Sequence, residues 1–418
     1  MDTNKKIIAT GLLIIATFLI FSCDNKKNTL PVNVIPVAST VGDYSILNLS
    51  NYATDIKYIP LETNDSVLIS NIRNISYENN KILVAGSNKQ FLFDNNGKFL
   101  RAIGQQGQGP TDFIRVSQSI IHENQIFTSD GQKILVYDTT GHLIKKSNLW
   151  SSDIPKEYNS WTGQILPLKK DIFVMNVATF SGYCPKAILF ETYQSEATMI
   201  KDYPSHVTLD KAKAGIMTIE QGVMYRFKDD VRIYKIISDT IFTIGQNMEM
   251  KEAFIFELGK YKPTLAFMER KEGDINDPLA MRSGKEKYIV PEIINESLNY
   301  LFITFDFGNH APEPIPVIIQ GETYYDNFVY GIFDKRTGEL ALMHQPIKGK
   351  SGLKNDIDGG PVIWPHFISS NNELITYISA EEFLEYYEKM ENPSPQLTEI
   401  ANRIDRDDNQ IVIIAKLK

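Results

Sequence analysis

Residues 81–100 read KILVAGSNKQFLFDNNGKFL, and residues 125–144 read QIFTSDGQKILVYDTTGHLI. The two stretches align without a gap at an offset of 44 residues. The matched pairs are Ile82 with Ile126, Lys89 with Lys133, Phe93-Asp94 with Tyr137-Asp138, and Gly97 with Gly141. The chain therefore contains an internal repeat.

Each copy predicts the same local structure. A strand and a turn lead into a second strand that ends in an aromatic residue and Asp; a tight turn closed by Gly then leads into a third strand. The Asp side chain can bond amides of its own turn, and the Gly can adopt the positive φ of a hairpin turn. Phe333–Leu340 repeats this pattern weakly, with one more residue in the turn. A period of about 40–45 residues with three or four strands is typical of a β-propeller blade.

The rest of the chain also favours an all-β fold, because short β-branched and aromatic runs alternate with Asn, Asp and Gly. Two insertions interrupt it: residues 261–290 contain charged, helix-favouring stretches, and residues 309–317 hold three prolines in a loop. Ser379-Ala380-Glu381-Glu382 is a capping box that predicts a helix, and Ser394-Pro395 predicts the start of another. Residues 410–416 form a final apolar strand.

The N-terminus has the organisation of a secretory signal. Lys5 and Lys6 precede an apolar or neutral stretch of 15 residues from Ile7 to Phe21, which is shorter than the roughly 20 residues of a membrane span. Residues 19–23 read LIFSC and resemble a lipobox, with Ile20 in place of the usual Leu. We predict a signal peptide over 1–22 and a lipidated Cys23 that anchors the protein. The alternative is an ordinary signal peptide with an unmodified cysteine.

The sequence after Cys23 predicts a tether and then one domain. Residues 24–36 are polar and contain two prolines, which suits an extended linker. We expect a tether over 23–40 and a single propeller domain over 41–418. With Cys23 acylated, Cys184 has no intramolecular disulfide partner, so the fold depends on its apolar core.

The charge balance argues against a nucleic-acid partner. Removal of residues 1–22, which carry Asp2, Lys5 and Lys6, changes the formal net charge from −8 to −9. Nucleic-acid binding requires clustered Lys and Arg, and the chain has no basic run.

Five segments resemble the six-bladed β-propeller lipoproteins with NHL-like repeats, which Gram-negative bacteria export. They are residues 59–63, 93–100, 103–110, 353–360 and 408–414. The resemblance implies a ring closed by pairing of residues 55–60 with residues 411–416. We favour an outer-membrane anchor that faces the periplasm, because Cys23 is followed by Asp24-Asn25-Lys26-Lys27 rather than by an acidic run that would signal transport to the outer face. The sequence departs from the family pattern at Gln410, where proline is frequent, and at Thr111-Asp112-Phe113.

The glycine cluster Gly104–Gly109 has the wrong spacing for a phosphate-binding loop, and Pro110 follows it. It predicts an interblade loop, with a ligand-lining role as the alternative.

The best candidate for a functional loop is residues 355–360, followed by Trp364 and His366. Asp356 and Asp358 could bind Ca²⁺ or another divalent metal, or could grip a sugar against the indole. The alternative is an Asx-type turn in which the carboxylates bond local amides.

Asp306 and His310 form a second candidate, for acid/base chemistry or metal binding, with a strand end and its turn as the alternative. His122, His142, His206 and His344 are scattered and predict surface or turn positions. No cofactor is evident. The absence of G-x-S-x-G, C-x-x-C and Walker motifs disfavours a nucleophilic enzyme of a familiar type.

Three functions remain open. The leading hypothesis is a binding or scaffold protein for a peptide, a glycan or an envelope protein. The second is a metal-dependent lyase or hydrolase, with a metal held near the propeller axis by some of His122, His310, His344 and His366. The third is an accessory subunit of an outer-membrane complex.

Overall fold

The computed structural model describes residues 33–150, 154–155, 161–178, 182–183, 186–193, 195–205, 208–209, 222–236, 238–264, 287–319 and 321–418. Six sheets, each with four principal strands, surround an axis, and the first strands of adjacent blades contact one another in a closed ring. This confirms the prediction of an all-β, six-bladed propeller. Among the residues described, no helix combines the length and the apolar composition needed to cross a bilayer.

The strands of each blade run from the axis outward. Blade 1 contains Asn74–Glu78, Lys81–Ala85, Gln90–Asp94 and Phe99–Ala102; blade 2 contains Gln118–His122, Gln125–Ser129, Lys133–Asp138 and Leu143–Asn148. Blade 3 contains Trp161–Lys169, Ile172–Ala178, Ala187–Glu191 and Thr198–Tyr203; blade 4 contains Gly222–Phe227, Asp230–Lys235, Thr240–Ile244 and Met250–Phe256. Blade 5 contains Val290–Glu296, Tyr300–Asp306, Phe328–Asp334 and Glu339–Met343; blade 6 contains Phe367–Ile368, Glu373–Ile378, Ile411–Leu417 and Ala53–Pro60.

The repeated Asp and Gly residues act as the sequence predicts. Asp94 Oδ1 accepts hydrogen bonds from the amides of Asn96 and Lys98, at 2.8 and 3.0 Å. Asp138 Oδ1 accepts equivalent bonds from Thr140 and His142, at 2.8 and 3.0 Å. Gly97 and Gly141 have φ of 83° and 87°. These bonds and φ angles fix the turn between the third and fourth strands of blades 1 and 2.

The ring is closed as predicted, by a strand from each end of the domain. Ala53–Pro60 is antiparallel to Ile411–Leu417, with Tyr58 opposite Ile413 and Pro60 opposite Ile411. The N-terminal strand is the outermost strand of blade 6. Separation of the two ends of the chain would therefore open the ring.

Residues 33–52, which we call the strap, join the outer edges of blades 4 and 5. Val34–Ile35 pairs in parallel with Ile255 and Phe256, and Tyr44–Ser45 pairs in parallel with Leu342 and Met343. Ile35 and Val37 are fully buried. Residues 34–40, which the sequence assigned to the tether, therefore pack on the domain, because these apolar side chains add to the core.

Helices occupy the predicted positions before the final strand. Ala380–Glu388 begins after Ser379, whose Oγ accepts a bond from the Glu382 amide at 3.1 Å, and Pro395–Ala401 begins after Ser394, whose Oγ accepts from the Leu397 amide at 3.3 Å. Phe383 and Leu397 are buried in the core between blades 5 and 6. The remaining short helices described are Val37–Thr40, Leu49–Asn51, Gly259–Tyr261 and Gly308–His310.

The proline-rich segment is less irregular than expected. Ile315–Ile319 is a strand that pairs with Glu322–Asp326 in a separate two-stranded hairpin. Pro316 is tolerated because such a hairpin has free edges, where a missing backbone donor costs little. A second small sheet joins Gly182–Tyr183 to Thr208–Leu209.

The two faces of the ring differ. Where the innermost strands end, the connections are short, as at Asn79-Asn80 and Glu123-Asn124, where both residues have positive φ. Where the innermost strands begin, long connections emerge, including residues 61–73, 103–117, 307–327, 344–366 and 379–410. We call these the tight-turn face and the long-loop face.

Candidate functional site

The carboxylates of the 355–360 loop are engaged with the strap and the closing strand. Asp356 accepts hydrogen bonds from the amide and the hydroxyl of Ser50, at 2.8 and 2.6 Å. Asp358 Oδ1 accepts from Tyr58 Oη at 3.1 Å and from Asn355 Nδ2 at 2.7 Å. It also accepts from the Gly360 amide at 3.0 Å, as in the alternative Asx-type turn. The loop thus joins the N-terminal segment to blade 6.

The pKa shifts in this loop agree with a structural role, in which the loop joins the N-terminal segment to blade 6. Desolvation alone would raise the pKa of Asp356, but the hydrogen bonds from Ser50 outweigh it and leave that pKa below its ordinary value. Burial raises the pKa of the Tyr58 phenol, and the nearby Asp358 raises it further. Asp356 is therefore held as a carboxylate and Tyr58 as a neutral donor near neutral pH.

Trp364 and His366, the other two candidate side chains, have different neighbours from Asp356 and Asp358. Trp364 packs between blades 5 and 6, where its Nε1 donates to Thr304 Oγ1 at 3.1 Å and its ring stacks on Tyr330 at 4.7 Å. His366 precedes the innermost strand of blade 6, with Nδ1 2.8 Å from Thr376 Oγ1. Burial lowers the pKa of His366. The four candidate side chains are thus divided among the outer edge of blade 6, its boundary with blade 5 and its axial side.

Asp306 and His310 have different neighbours. Asp306 Oδ1 accepts a bond from the Gly308 amide at 3.0 Å, as in the alternative strand-end turn. The His310 ring packs against Tyr261, with centroids 4.8 Å apart. Their sequence spacing therefore reflects a turn followed by a short helix.

The four histidines of the lyase hypothesis do not converge. His122 ends the innermost strand of blade 2 on the tight-turn face, whereas His366 begins blade 6 on the long-loop face. His310 and His344 lie beside Tyr44 of the strap, at the outer edge of blade 5. Within the described ranges, no group of three or more His, Cys, Asp or Glu side chains could hold a metal ion. Cys23, Cys184 and His206 lie outside the described residues.

His142 lies in an exposed turn, 2.8 Å from Thr140 Oγ1. His122 is instead largely enclosed: its Nδ1 lies 3.9 Å from Glu78 Oε1, and both side chains are only 15% exposed. Burial, helped by Arg226, lowers the pKa of His122 to about 4, and burial raises the pKa of Glu78. His122 is therefore neutral at pH 7, in a position that its sequence context did not distinguish.

The depressed pKa of His122 predicts an acid-sensitive fold. Between pH 6.5 and 4 the unfolded chain binds a proton that the folded chain does not, so the free energy of unfolding should fall as the pH falls. The expected loss is about 3 kcal/mol at pH 4. Urea denaturation at several pH values should show this fall in the wild type and a smaller fall in His122→Gln. Since Glu78 is present in both proteins, parallel profiles would contradict the assignment.

Asp112 organises the glycine-rich loop. Its carboxylate accepts from the Gly109 amide at 3.0 Å and from Gln105 Nε2 at 2.9 Å. A Cβ on Gly107 or Gly109 would overlap this carboxylate. The interblade-loop prediction thus has a physical basis, because the glycines let the backbone wrap closely around one acidic side chain.

Removal of the Asp112 carboxylate should loosen this loop. Asp112→Ala is expected to lower the free energy of unfolding by about 1–2 kcal/mol, since a charged acceptor is lost from two bonds. Limited proteolysis should cut the variant within residues 104–112 faster than the wild type. Asp65→Ala, at an exposed position in another long loop, serves as the control and should show neither effect.

A cleft of about 380 Å³ opens on the long-loop face where blade 6 meets blade 1. Its walls come from three connections, within residues 68–71, 86–89 and 407–409, above Val84 and Phe91 of blade 1. Sequence reasoning missed this cleft, because its walls are distant in the chain and carry no motif. Its size lies within the roughly 300–1,000 Å³ typical of small-ligand pockets.

A family model described as a domain of unknown function, DUF4934, matches residues 32–416. No curated protein matches the chain.

Among solved structures, the chain is similar to a candidate exported protein from Bacteroides fragilis, with 19% identity and a TM-score of 0.68 over 92% of this chain and 99% of that one. A DUF4221 family member from Bacteroides vulgatus has 13% identity and a TM-score of 0.49, over 88% and 97% of the two chains. Virginiamycin B lyase from Staphylococcus aureus has 11% identity and a TM-score of 0.36, over 86% and 99%. The first likeness shows the fold alone.

Proposed function

The chain belongs to the DUF4934 family, and we propose that it is a lipid-anchored propeller of the cell envelope that recognises a peptide, glycan or protein with its long-loop face. The observation that carries this proposal is the difference between the two faces. A rigid ring with long loops on one face is the arrangement in which binding residues are commonly placed.

The composition of the long loops supports recognition. Leu68, Ile318 and Tyr325 lie on these connections and are 53%, 76% and 55% exposed. Exposed apolar and aromatic side chains next to polar groups are typical of binding surfaces. The tight turns leave little room for a ligand, because they connect strands within the same blade directly.

Anchoring through Cys23 is compatible with this orientation. Val34–Ile35 runs parallel to the outer strand of blade 4, so the chain joins the ring at its rim. An anchor attached at the rim leaves the long-loop face open. We propose that residues 1–22 are cleaved and that the lipid inserts into the outer membrane on its periplasmic side. Mass spectrometry of the N-terminal peptide should show a diacylglyceryl group on Cys23; an unmodified Cys23 would contradict the anchor.

Hydrogen exchange can test recognition. The purified protein would be compared with and without solubilised peptidoglycan fragments, envelope polysaccharide or periplasmic peptides. We expect slower amide exchange in long-loop segments such as 61–73 and 344–366, and unchanged exchange in the turns at 79–80 and 123–124. Protection confined to the tight turns, or no protection by any fraction, would contradict the proposal.

A second candidate function, as an accessory subunit of an outer-membrane complex, is favoured by the Ile315–Asp326 hairpin. An isolated two-stranded hairpin is marginal in water, and this one exposes Val317, Ile318 and Ile319. Co-purification of a membrane partner after gentle detergent extraction should be lost in Ile318→Asp and retained in Leu298→Asp on the tight-turn face. Equal co-purification with both variants would remove this candidate.

A further inference from the structure

The cleft between blades 6 and 1 is rich in side chains that can form hydrogen bonds. Ser70, Asn71, Asn88, Lys89 and Asp407 all line it, and all five residues are exposed. Amides and hydroxyls can both donate and accept. The cleft can therefore satisfy a ligand whose own groups both donate and accept.

Apolar surface lies among these polar groups. Leu68, Ile69, Val84 and Phe91 contribute to the lining. Val84 and Phe91 are 1% and 5% exposed, so the apolar surface they present is small and belongs to the packed core of blade 1. A narrow apolar surface framed by polar side chains matches a sugar ring, which has an apolar face of C–H groups and a rim of hydroxyls.

The charges of the cleft favour a neutral ligand. Lys89 lies in one wall, and Asp407 and Asp408 lie in another. Asp408 is already engaged, because its Oδ2 accepts from the Asp405 amide at 2.8 Å. A hydrogen bond leaves the charge of Asp408 in place, so the lining carries one cation and two carboxylates. The slight negative excess disfavours an anionic ligand, and Lys89 opposes a cationic one.

The walls are held in place before any ligand arrives. Asn409, which is 3% exposed, accepts from the Ile69 amide at 2.8 Å and donates to Val67 O at 2.8 Å. At Gly86 a Cβ would lie 2.9 Å from Asn71 O, so glycine allows these two walls to approach. A preorganised cleft loses less conformational entropy on binding.

We propose that this cleft is a binding site for a neutral oligosaccharide. Ser70, Asn71, Asn88 and Asp407 bond the hydroxyls, and Leu68 covers the apolar face of a ring. This inference rests on the proposed recognition function and names its ligand class. A peptide is the competing ligand. Peptides are commonly recognised by an exposed strand edge, an apolar or aromatic groove, or an Arg cluster, and the residues that line this cleft form none of these.

The test uses the full chain, purified in detergent, on an array of neutral oligosaccharides built from glucose, galactose, mannose and N-acetylglucosamine, with acidic glycans and peptides on the same array. We expect the wild type to bind at least one neutral oligosaccharide. The Asn71→Ala/Asn88→Ala double variant should bind it at least tenfold more weakly. The matched control, Asn51→Ala/Asn96→Ala, changes two exposed asparagines on the tight-turn side and should bind like the wild type.

Three results would overturn the inference: no binding to any neutral oligosaccharide, binding to peptides or acidic glycans only, or equal binding by the wild type and the cleft variant. Equal thermal midpoints for all three proteins exclude misfolding as the cause of a loss. If envelope material protects the long-loop face from hydrogen exchange while the array stays negative, the oligosaccharide inference fails and the recognition function stands. If neither assay shows binding, both fail.

Discussion

Gly97→Ala is expected to lower the free energy of unfolding by about 3–5 kcal/mol, whereas Gly141→Ala lowers it by about 1–2 kcal/mol. The two glycines occupy equivalent repeat positions with φ of 83° and 87°. A Cβ on Gly97 would overlap the carbonyl oxygen of Pro60 in the closing strand. A Cβ on Gly141 would meet Arg101 Cδ at 3.4 Å, an ordinary contact.

The comparison isolates the contact between blade 1 and the closing strand, because the backbone strain is the same in both variants. Urea denaturation of the wild type and the two variants measures the difference. Equal losses would show that the closing strand does not lie against the Gly97 turn, and would contradict the closure described above.

Asn409→Ala is also expected to cost about 3–5 kcal/mol, because it leaves three buried or partly buried backbone groups without this partner. The Asn409 side chain accepts from Ile69 N at 2.8 Å and donates to Glu62 O at 2.7 Å and Val67 O at 2.8 Å. These bonds fix the connection that leads from the closing strand into blade 1.

Asn402→Ala, at an exposed helix end, provides the control and should change stability by less than about 0.5 kcal/mol. Asn409→Asp keeps the acceptor but loses both donors, so we expect it to destabilise the fold as well. A wild-type denaturation midpoint for Asn409→Ala would show that the 62–69 connection is held by other contacts.

Much of the fold follows from short-range patterns. The Asp94 and Asp138 turns, the helices after Ser379 and Ser394, and the final strand each depend on residues a few positions apart. The 44-residue repeat then gives the blade, and the family resemblance supplied the blade number and the strand that closes the ring. These features were predictable because local hydrogen bonding and alternating burial select them directly.

The candidate site was less predictable, because its contacts join distant segments. Asp356 is engaged by Ser50 and Asp358 by Tyr58, about three hundred positions away in the chain. No local pattern distinguishes such carboxylates from ligand-binding ones. The strap escaped prediction because Val34–Ile35 and Tyr44–Ser45 are two-residue strands, too short to show a period.

Recognition by the long-loop face can be tested by photo-crosslinking in living cells of the producing bacterium. A photoreactive amino acid would replace each of four residues, one at a time. They form two pairs, each matched in residue type and in exposure. Leu68 and Leu298 are 53% and 52% exposed, and Tyr325 and Tyr193 are 55% and 60% exposed. The first residue of each pair lies on the long-loop face and the second on the tight-turn face. We predict crosslinked products from Leu68, Tyr325 or both, and none from Leu298 or Tyr193; products from the tight-turn positions alone would contradict recognition by the long-loop face.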